Sequence, residues 1–318
     1  MGRTSPVLKT ACWTALLAIL CVPGTEASAQ ESVQLALGFV AGDVMEYEVS
    51  FAGSGSLTSP DAELVPLGVR GDFLVVCAVS EVLPEGSGRL QVHVPRIQAV
   101  VNIGQQQASL SYDSGSLRWY ADGREHIPPD LDSGQLPLLG KPVETTVAPN
   151  GRTSGLSLGD SEMVSALGQM LPQLSLTGGG ELSVQIFPDT PVEVGETWRH
   201  AVQLLPFGQD VPVNVNSSRT LVSFVEHGEM GVAKIAGYTE ARLQGTPTDM
   251  SLTEGKIRAG VTELRKTVTS TEFFDATQGR LIRGDYQIGI SGRVSSAVGD
   301  EKAESGAEGR IHVTVRAR

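Results

Sequence analysis

One stretch in the middle of the chain restricts its folding more than any other: Phe187-Pro188-Asp189-Thr190-Pro191-Val192-Glu193-Val194-Gly195-Glu196-Thr197-Trp198. Pro188 and Pro191 fix their own φ, lack a donor, and push the residue before them out of the helical region. Neither fits a central strand. Gly195 accepts a positive φ at no steric cost, which suits a tight turn with Glu196. Beyond the turn, Trp198, His200, Val202 and Leu204 alternate with Arg199, Ala201 and Gln203, the period of two that marks a strand. The stretch reads as an extended arm, a stiffened bend and the start of a long strand. Its role is structural, with Trp198 as a ligand platform the functional alternative.

The chain on either side of this joint carries the same signals in the same order. Gly42-Asp43 opens a strand with Met45, Tyr47, Val49 and Phe51 on one face and Glu46, Glu48 and Ser50 on the other. Gly195-Glu196 opens the strand of Trp198, and the two lie over each other with Met45 on Trp198, Tyr47 on His200 and Val49 on Val202. Residues 69–82 and 89–97 then flank the turn Pro84-Glu85-Gly86-Ser87-Gly88, and residues 219–225 and 232–239 flank Glu226-His227-Gly228-Glu229. Tyr112-Asp113-Ser114-Gly115 has its counterpart in Phe274-Asp275-Ala276-Thr277-Gln278-Gly279. Recurrence of this kind is sought before a fold is assigned. The expectation is a mainly β protein: antiparallel sheet built from two related meanders, residues 30–125 and 181–318, forming one sheet or two packed halves.

Between them, residues 126–180 connect the halves. Pro128, Pro129, Pro137 and Pro142 make the first part irregular, and Pro149-Asn150-Gly151 is a tight turn. The pattern of Met163, Val164, Leu167, Met170 and Leu171, with Asp160 or Ser161 as cap, predicts one short amphipathic helix over about 160–171. Leu182, Val184 and Ile186 then read as a strand. The polar, small-residue stretch 297–309 reads as a mobile loop, and Ile311, Val313 and Val315 as a final strand.

The N-terminus reads as an export signal over residues 1–29. Arg3 and Lys9 precede a short apolar core from Ala11 to Val22, and Ala27-Ser28-Ala29 is an A-x-A cleavage site. Leu20 stands before Cys21 where a lipobox wants a small residue, so ordinary cleavage is preferred over lipid anchoring. The expected address is periplasmic or extracellular. Removing 1–29 leaves 22 basic and 35 acidic residues of the chain's 24 and 36, a net charge of −13. That charge excludes nucleic acid and anionic lipid surfaces as partners. Cys77 is the one cysteine outside the signal, which rules out a disulfide framework, and its apolar strand makes it a small hydrophobe rather than a reactive thiol.

Candidate chemistry is sparse. Gly155-Leu156-Ser157-Leu158-Gly159 matches the nucleophile-elbow pattern, but that elbow works on a parallel sheet with alternating helices, which this chain lacks. His93, His126, His200, His227 and His312 are dispersed without metal-ligand spacing. Asp122, Asp130 and Asp132 near Gly123 and Gly134 lack the ordered pattern of a calcium loop. No catalytic, cofactor or metal residue is assigned, and no cofactor is expected.

The motif Phe187-Pro188-x-x-Pro191-Val192-x-Val194-Gly195-x-x-Trp198, the turn Phe273-Phe274-Asp275 to Gly279, and Val143-x-x-x-Val147-x-Pro149-Asn150-Gly151 resemble a widespread family of uncharacterised secreted or lipoprotein-like bacterial proteins. The resemblance implies a β-rich fold and a bacterial envelope address. It implies no activity and no site residues. The reading is an exported non-enzymatic protein that binds an apolar ligand, such as a lipid, or another envelope protein on a sheet face. The rivals are an envelope structural or assembly factor without a small ligand and, more weakly, a serine hydrolase using Ser157. Signal peptidase is expected to cut after Ala29, leaving Gln30 as the mature N-terminus; intact-mass measurement of the exported protein checks this, and a diacylated Cys21 would overturn it.

Overall fold

The computed structural model describes residues 32–58, 63–113, 115–121, 123–126, 142–154, 187–204, 213–227, 230–244, 250–251, 257–298 and 301–318. The predicted helix over about 160–171, Ser157 with its glycines, the strand of Leu182 to Ile186, and Asp122, Asp130 and Asp132 lie outside them. The described residues hold no helix. Alternating sequence builds β1 (Val44–Thr58), β2 (Leu64–Val82), β3 (Gly88–Ile103), β4 (Gln106–Asp113), β5 (Ser116–Ala121), β6 (Arg124–His126), β7 (Val143–Val147), β8 (Thr153–Ser154), β9 (Thr197–Leu204), β10 (Val213–His227), β11 (Met230–Gln244), β12 (Met250–Ser251), β13 (Ile257–Asp275), β14 (Arg280–Val298) and β15 (Glu301–Ala317).

All fifteen belong to one antiparallel sheet in the order β6-β5-β4-β3-β2-β1-β15-β14-β13-β11-β10-β9, with β12 on β13, β7 on β3 and β8 on β7. The question of one sheet or two packed halves is thus answered by one. Each meander contributes six strands to the main path. Direction alternates along a meander, so an even number lets β15, the last strand of the second, lie antiparallel against β1, the first strand of the first. The longest strands have 19 residues, about 60 Å at the usual rise.

The two strand-opening turns have matching geometry. Gly42 and Gly195 have φ of 88° and 92°, a region glycine enters without a Cβ penalty. The Gly42 amide donates to the Val79 carbonyl at 2.8 Å and the Gly195 amide to that of Leu221 at 2.7 Å. Val79 donates back to Asp43 and Leu221 back to Glu196, at 2.8 and 3.1 Å. A register shift follows both buried residues, between Val79 and Glu81 and between Leu221 and Ser223.

These turns lie at one end of the sheet, with the β13–β14 turn, where Asp275 accepts from the amides of Thr277 and Gln278. The segment Val33 to Phe39 runs across this end. Val33 forms a two-hydrogen-bond bridge with Val192 at 2.8 and 2.9 Å. Leu35 is fully buried in a cluster with Phe187, Val192, Leu221, Ala233, Ile235 and Phe274. Leu37 and Phe39 pack against Val79 and Leu90 of the first meander and Val147 of β7. One short strap therefore fastens both halves, and the prolines of the joint hold Phe187 and Val192 where Leu35 needs them.

Of residues 297–309, expected as a mobile loop, 297–298 belong instead to β14 and 301–309 to β15, paired from Val298↔Glu301 onward. Ser305, Ala307 and Gly309 share the register face of Ile311, while Glu304, Glu308 and Arg310 take the other. Period-two alternation is present there, written in small residues rather than large apolar ones. Trp198 is half-buried against the Leu35 cluster. Leu35→Ala should cost ~2–5 kcal/mol through the cavity it leaves, and Gly195→Val at least ~1–2 kcal/mol from the left-handed backbone alone. Urea unfolding midpoints of both variants test this; values near wild type would show that neither strap nor turn is under load.

Candidate functional site

The sheet has one apolar and one charged face. Direct cross-strand partners point to the same side, so each level of one face can be followed across the strands. One such level runs Trp198, Arg219, Gly237, Ser270, Tyr286, Val313, Phe51, Gly71, Ala99, Leu110, Trp119 from β9 to β5. Call this side the inner face. It also carries Val49, Ile288 and Val313, which are buried against Phe51, Phe73, Val75, Val268, Tyr286 and their neighbours. Met45, Tyr47, Val49 and Phe51 lie on it as expected from the alternation of β1.

The outer face is polar through the full height of the sheet. Successive levels carry Lys234, Arg283, Glu48, Arg96 and Asp113; then Asp285, Asp72 and Arg118; then Arg199, His312 and Arg70; then Glu240 and Arg310; then Arg242, Arg265 and Glu308. Many pair: Arg283 with Asp285 at 2.9 Å, Arg265 with Glu240 at 2.7 Å, Arg96 with Glu48 at 3.6 Å. The Arg283 hydrogen bond, with Thr314 adding a second, holds the Asp285 carboxyl below the usual carboxylate range. Leu74, Val76 and Ala78 also lie on this outer side, Leu74 between Glu48 and Arg96 in register. All three are half-buried, as apolar residues among long charged neighbours are when the aliphatic stems cover them.

Burial on the inner face is graded. Val79, Leu90, Leu35 and Ile235 are buried at the strapped end. Toward the other end exposure rises to 37% at Leu57, 45% at Ile103 and 39% at Leu264. The first meander lines the face with side chains such as Val65, Leu67, Val69, Phe73, Val101 and Leu110, without a charge from β1 to β4 among the described residues.

The second meander differs. Arg219 donates to Glu272 at 2.5 Å, with side chains 18% and 7% exposed. Tyr286 also bonds Glu272, and its phenol is pushed far up, first by burial and then by the Glu272 charge. Thr239 donates to the Ser217 hydroxyl at 3.1 Å, and His200 is the register partner of Ser217. Lys266 sits in the level Val202, Val215, Ala241, Lys266, Ile290, is 8% exposed, and is pushed down to about 8 by burial. Neither Lys266 nor the pair of Arg219 and Glu272 stands out in the sequence as an inward-facing group. Parity with Leu264, Val268 and Phe274 would have placed Lys266 and Glu272 inside, but the adjacent Phe273-Phe274 pair leaves that parity undecided, and a bulge falls there.

Cys77 is a half-buried free thiol pushed up to about 11 by burial, in keeping with a hydrophobe rather than a nucleophile. His93 and His312 lie on the outer face and His200 on the inner, so no two of these three approach along one face at one level. No group of three or more metal-ligating side chains occurs among the described residues.

Lys266 makes stability depend on pH. Below about 8 both folded and unfolded chains carry its proton. Between about 8 and the ordinary 10.5 the unfolded chain holds a proton the folded one has lost, so this contribution to stability climbs with pH. Lys266→Met should raise neutral-pH stability, by at most about 3 kcal/mol, and the gap to wild type should close toward pH 10. Comparing the two proteins across pH 7–10 cancels the opposing drift from Cys77 and Tyr47, whose groups burial pushes up to about 11 and about 12. A pH-independent gap would refute the assignment.

No family model matches the chain, and no curated protein matches it. Among solved structures, Pseudomonas aeruginosa OpdQ is 9% identical over 86% of this chain and 99% of its own, with a TM-score of 0.22. OccK7 (OpdD) of the same organism is 9% identical over 87% and 99%, TM-score 0.24. An outer membrane channel from Pseudomonas putida F1 is 7% identical over 89% and 97%, TM-score 0.21. Likeness at this level carries no argument about this chain.

Proposed function

We propose that this is an exported, non-enzymatic binding protein of the bacterial envelope that carries an apolar ligand on the inner face of its sheet. The observation that supports this best is the division of polarity between the two faces. A continuous inner face is lined by Val, Leu, Ile and Phe across many strands and is still partly exposed at one end, while the other face is charged at every level. A single-layer sheet that only needed to fold would require less apolar surface than this. Exposed apolar area of that extent marks a binding surface.

The same division bears on where the sheet sits. A strand wall crossing a bilayer turns an apolar band about 25 Å tall toward lipid. Here five successive outer levels carry charge, spanning about 27 Å at the usual strand rise, and the apolar side is the buried one. This supports a water-facing sheet, periplasmic or extracellular, reached through the signal of residues 1–29. The matched turns at Gly42 and Gly195 support reading the two meanders as copies of one unit. An assembly factor without a small ligand is the second reading, favoured by the close packing at the strapped end.

Protein purified from its own host should retain lipid in native mass spectrometry. Stripping that lipid should lower the melting temperature, and restoring it at a hundredfold excess over Kd should return ~2.7 kcal/mol. A protein that purifies ligand-free, takes up no N-phenyl-1-naphthylamine and melts unchanged with added lipid would favour the assembly-factor reading. Esterase turnover abolished by Ser157→Ala would defeat both.

A further inference from the structure

We infer that the second meander's part of the inner face holds the acidic headgroup of a single-chain amphiphile, and that the acyl chain lies along the first meander's part. This rests on the ligand-binding reading above and names the ligand class.

The matched hydrogen bonds of the two opening turns equate positions between the meanders without reference to side chains. Gly42 corresponds to Gly195 and Val79 to Leu221. Leu90, the partner of Val79, then corresponds to Ile235, the partner of Leu221. Counting along each strand from these anchors, one level of the first meander carries Tyr47 and Val75, with Val94 packed against Val75 beside a register shift, and the same level of the second carries His200, Ser217 and Thr239. The level nearer the turn carries Met45, Cys77 and Val92 in one and Trp198, Arg219 and Gly237 in the other.

Apart from the register shift between Leu74 and Val76 the frame is common to both, so the first meander carries apolar side chains where the second carries polar ones. Burying hydroxyls and charge in the second costs stability that an apolar set would not. Ser217 is 8% exposed and Glu272 6%. The polar set is therefore explained by something it contacts rather than by folding. Its chemistry favours an acid. Among the described residues, the charged side chains on this face from β9 to β4 that are not exposed are Arg219, Lys266 and Glu272, two cations against one anion in a chain whose net charge is strongly negative, while Glu226, in register with Gly231, is exposed at the turn end. His200 and Ser217 add donors suited to a carboxylate, the Ser217 oxygen being held by the donation from Thr239. The adjoining apolar face, continuous through Ile288, Ile311 and Val69, suits an alkyl chain.

The test uses the mature chain and displacement of N-phenyl-1-naphthylamine by dodecanoate and by 1-dodecanol. The variant His200→Tyr/Ser217→Val/Thr239→Val installs the residues the first meander already carries at those positions. Wild type should bind dodecanoate at least tenfold tighter than the variant, and the two should bind 1-dodecanol within about twofold. Ser217→Ala alone should move dodecanoate affinity in the same direction and serves if the triple variant does not fold. Equal dodecanoate affinity in wild type and variant, or a wild-type preference for the alcohol, overturns the headgroup assignment and leaves apolar binding standing. A wild type that takes up neither dye nor amphiphile overturns both readings.

Discussion

The pairing of β1 with β15 is the contact on which the rest of the sheet depends. Twelve register pairs run from Tyr47↔Ala317 to Thr58↔Gly306 and join the two meanders into one surface. Without them each meander would have an open edge at its centre, and the buried group of Val49, Ile288 and Val313 would be split between two halves. The strands approach closely along this seam: a Cβ on Gly55 would lie 2.2 Å from the Glu308 carbonyl oxygen and 2.8 Å from the Gly309 Cα. Ion pairs also cross it, Asp43 with Arg280 and Glu48 with Arg318. Both are substantially exposed and each contributes little; the buried aliphatic group contributes the stability.

A seam between the first and last strands is remote in sequence. Its closure waits for the whole chain, and the loop entropy must be met before the contacts form. The strap of Val33 to Phe39 has the same character, since its partners Val192, Phe274 and Gly279 lie far along the chain. The meanders themselves are local, each strand pairing mostly with the next. Local units that form early and remote contacts that lock them together are a consistent folding order for this topology.

Much of this was legible in the sequence because strand parity is a local property. The inner face of β1, the Gly195 turn, the hairpin around Pro84 to Gly88 and the Asp275 turn follow from alternation and turn chemistry over a few residues. The seam was not legible, since nothing local to Tyr47 or Val315 names its partner. The β14–β15 hairpin was missed because its alternation is carried by Ser305, Ala307 and Gly309, which look like loop residues when hydrophobicity is the guide. Arg219 and Glu272 were missed for the opposite reason: charged residues are read as outward by default, and only the register of strands 53 residues apart in sequence shows that they meet inside.

The graded burial of the inner face gives the sheet a direction. At the turn end, the strap, the joint and β7 close the face over Leu35, Val79, Leu90 and Val147. At the opposite end Leu57, Ile103 and Leu264 remain exposed. A ligand approaching the strapped end would have to displace side chains with no exposed surface left to remove from water, at the several kcal/mol that opening a packed cluster costs. At the other end it would cover side chains that already face water and gain by the area it removes. The polar levels of Arg219 and Ser217 lie between these extremes, so the order met along the strands is exposed aliphatic surface, then polar groups, then closed core. That order lets a ligand enter from the exposed end, reach the polar level from which the apolar face continues into the first meander, and go no further than the strap.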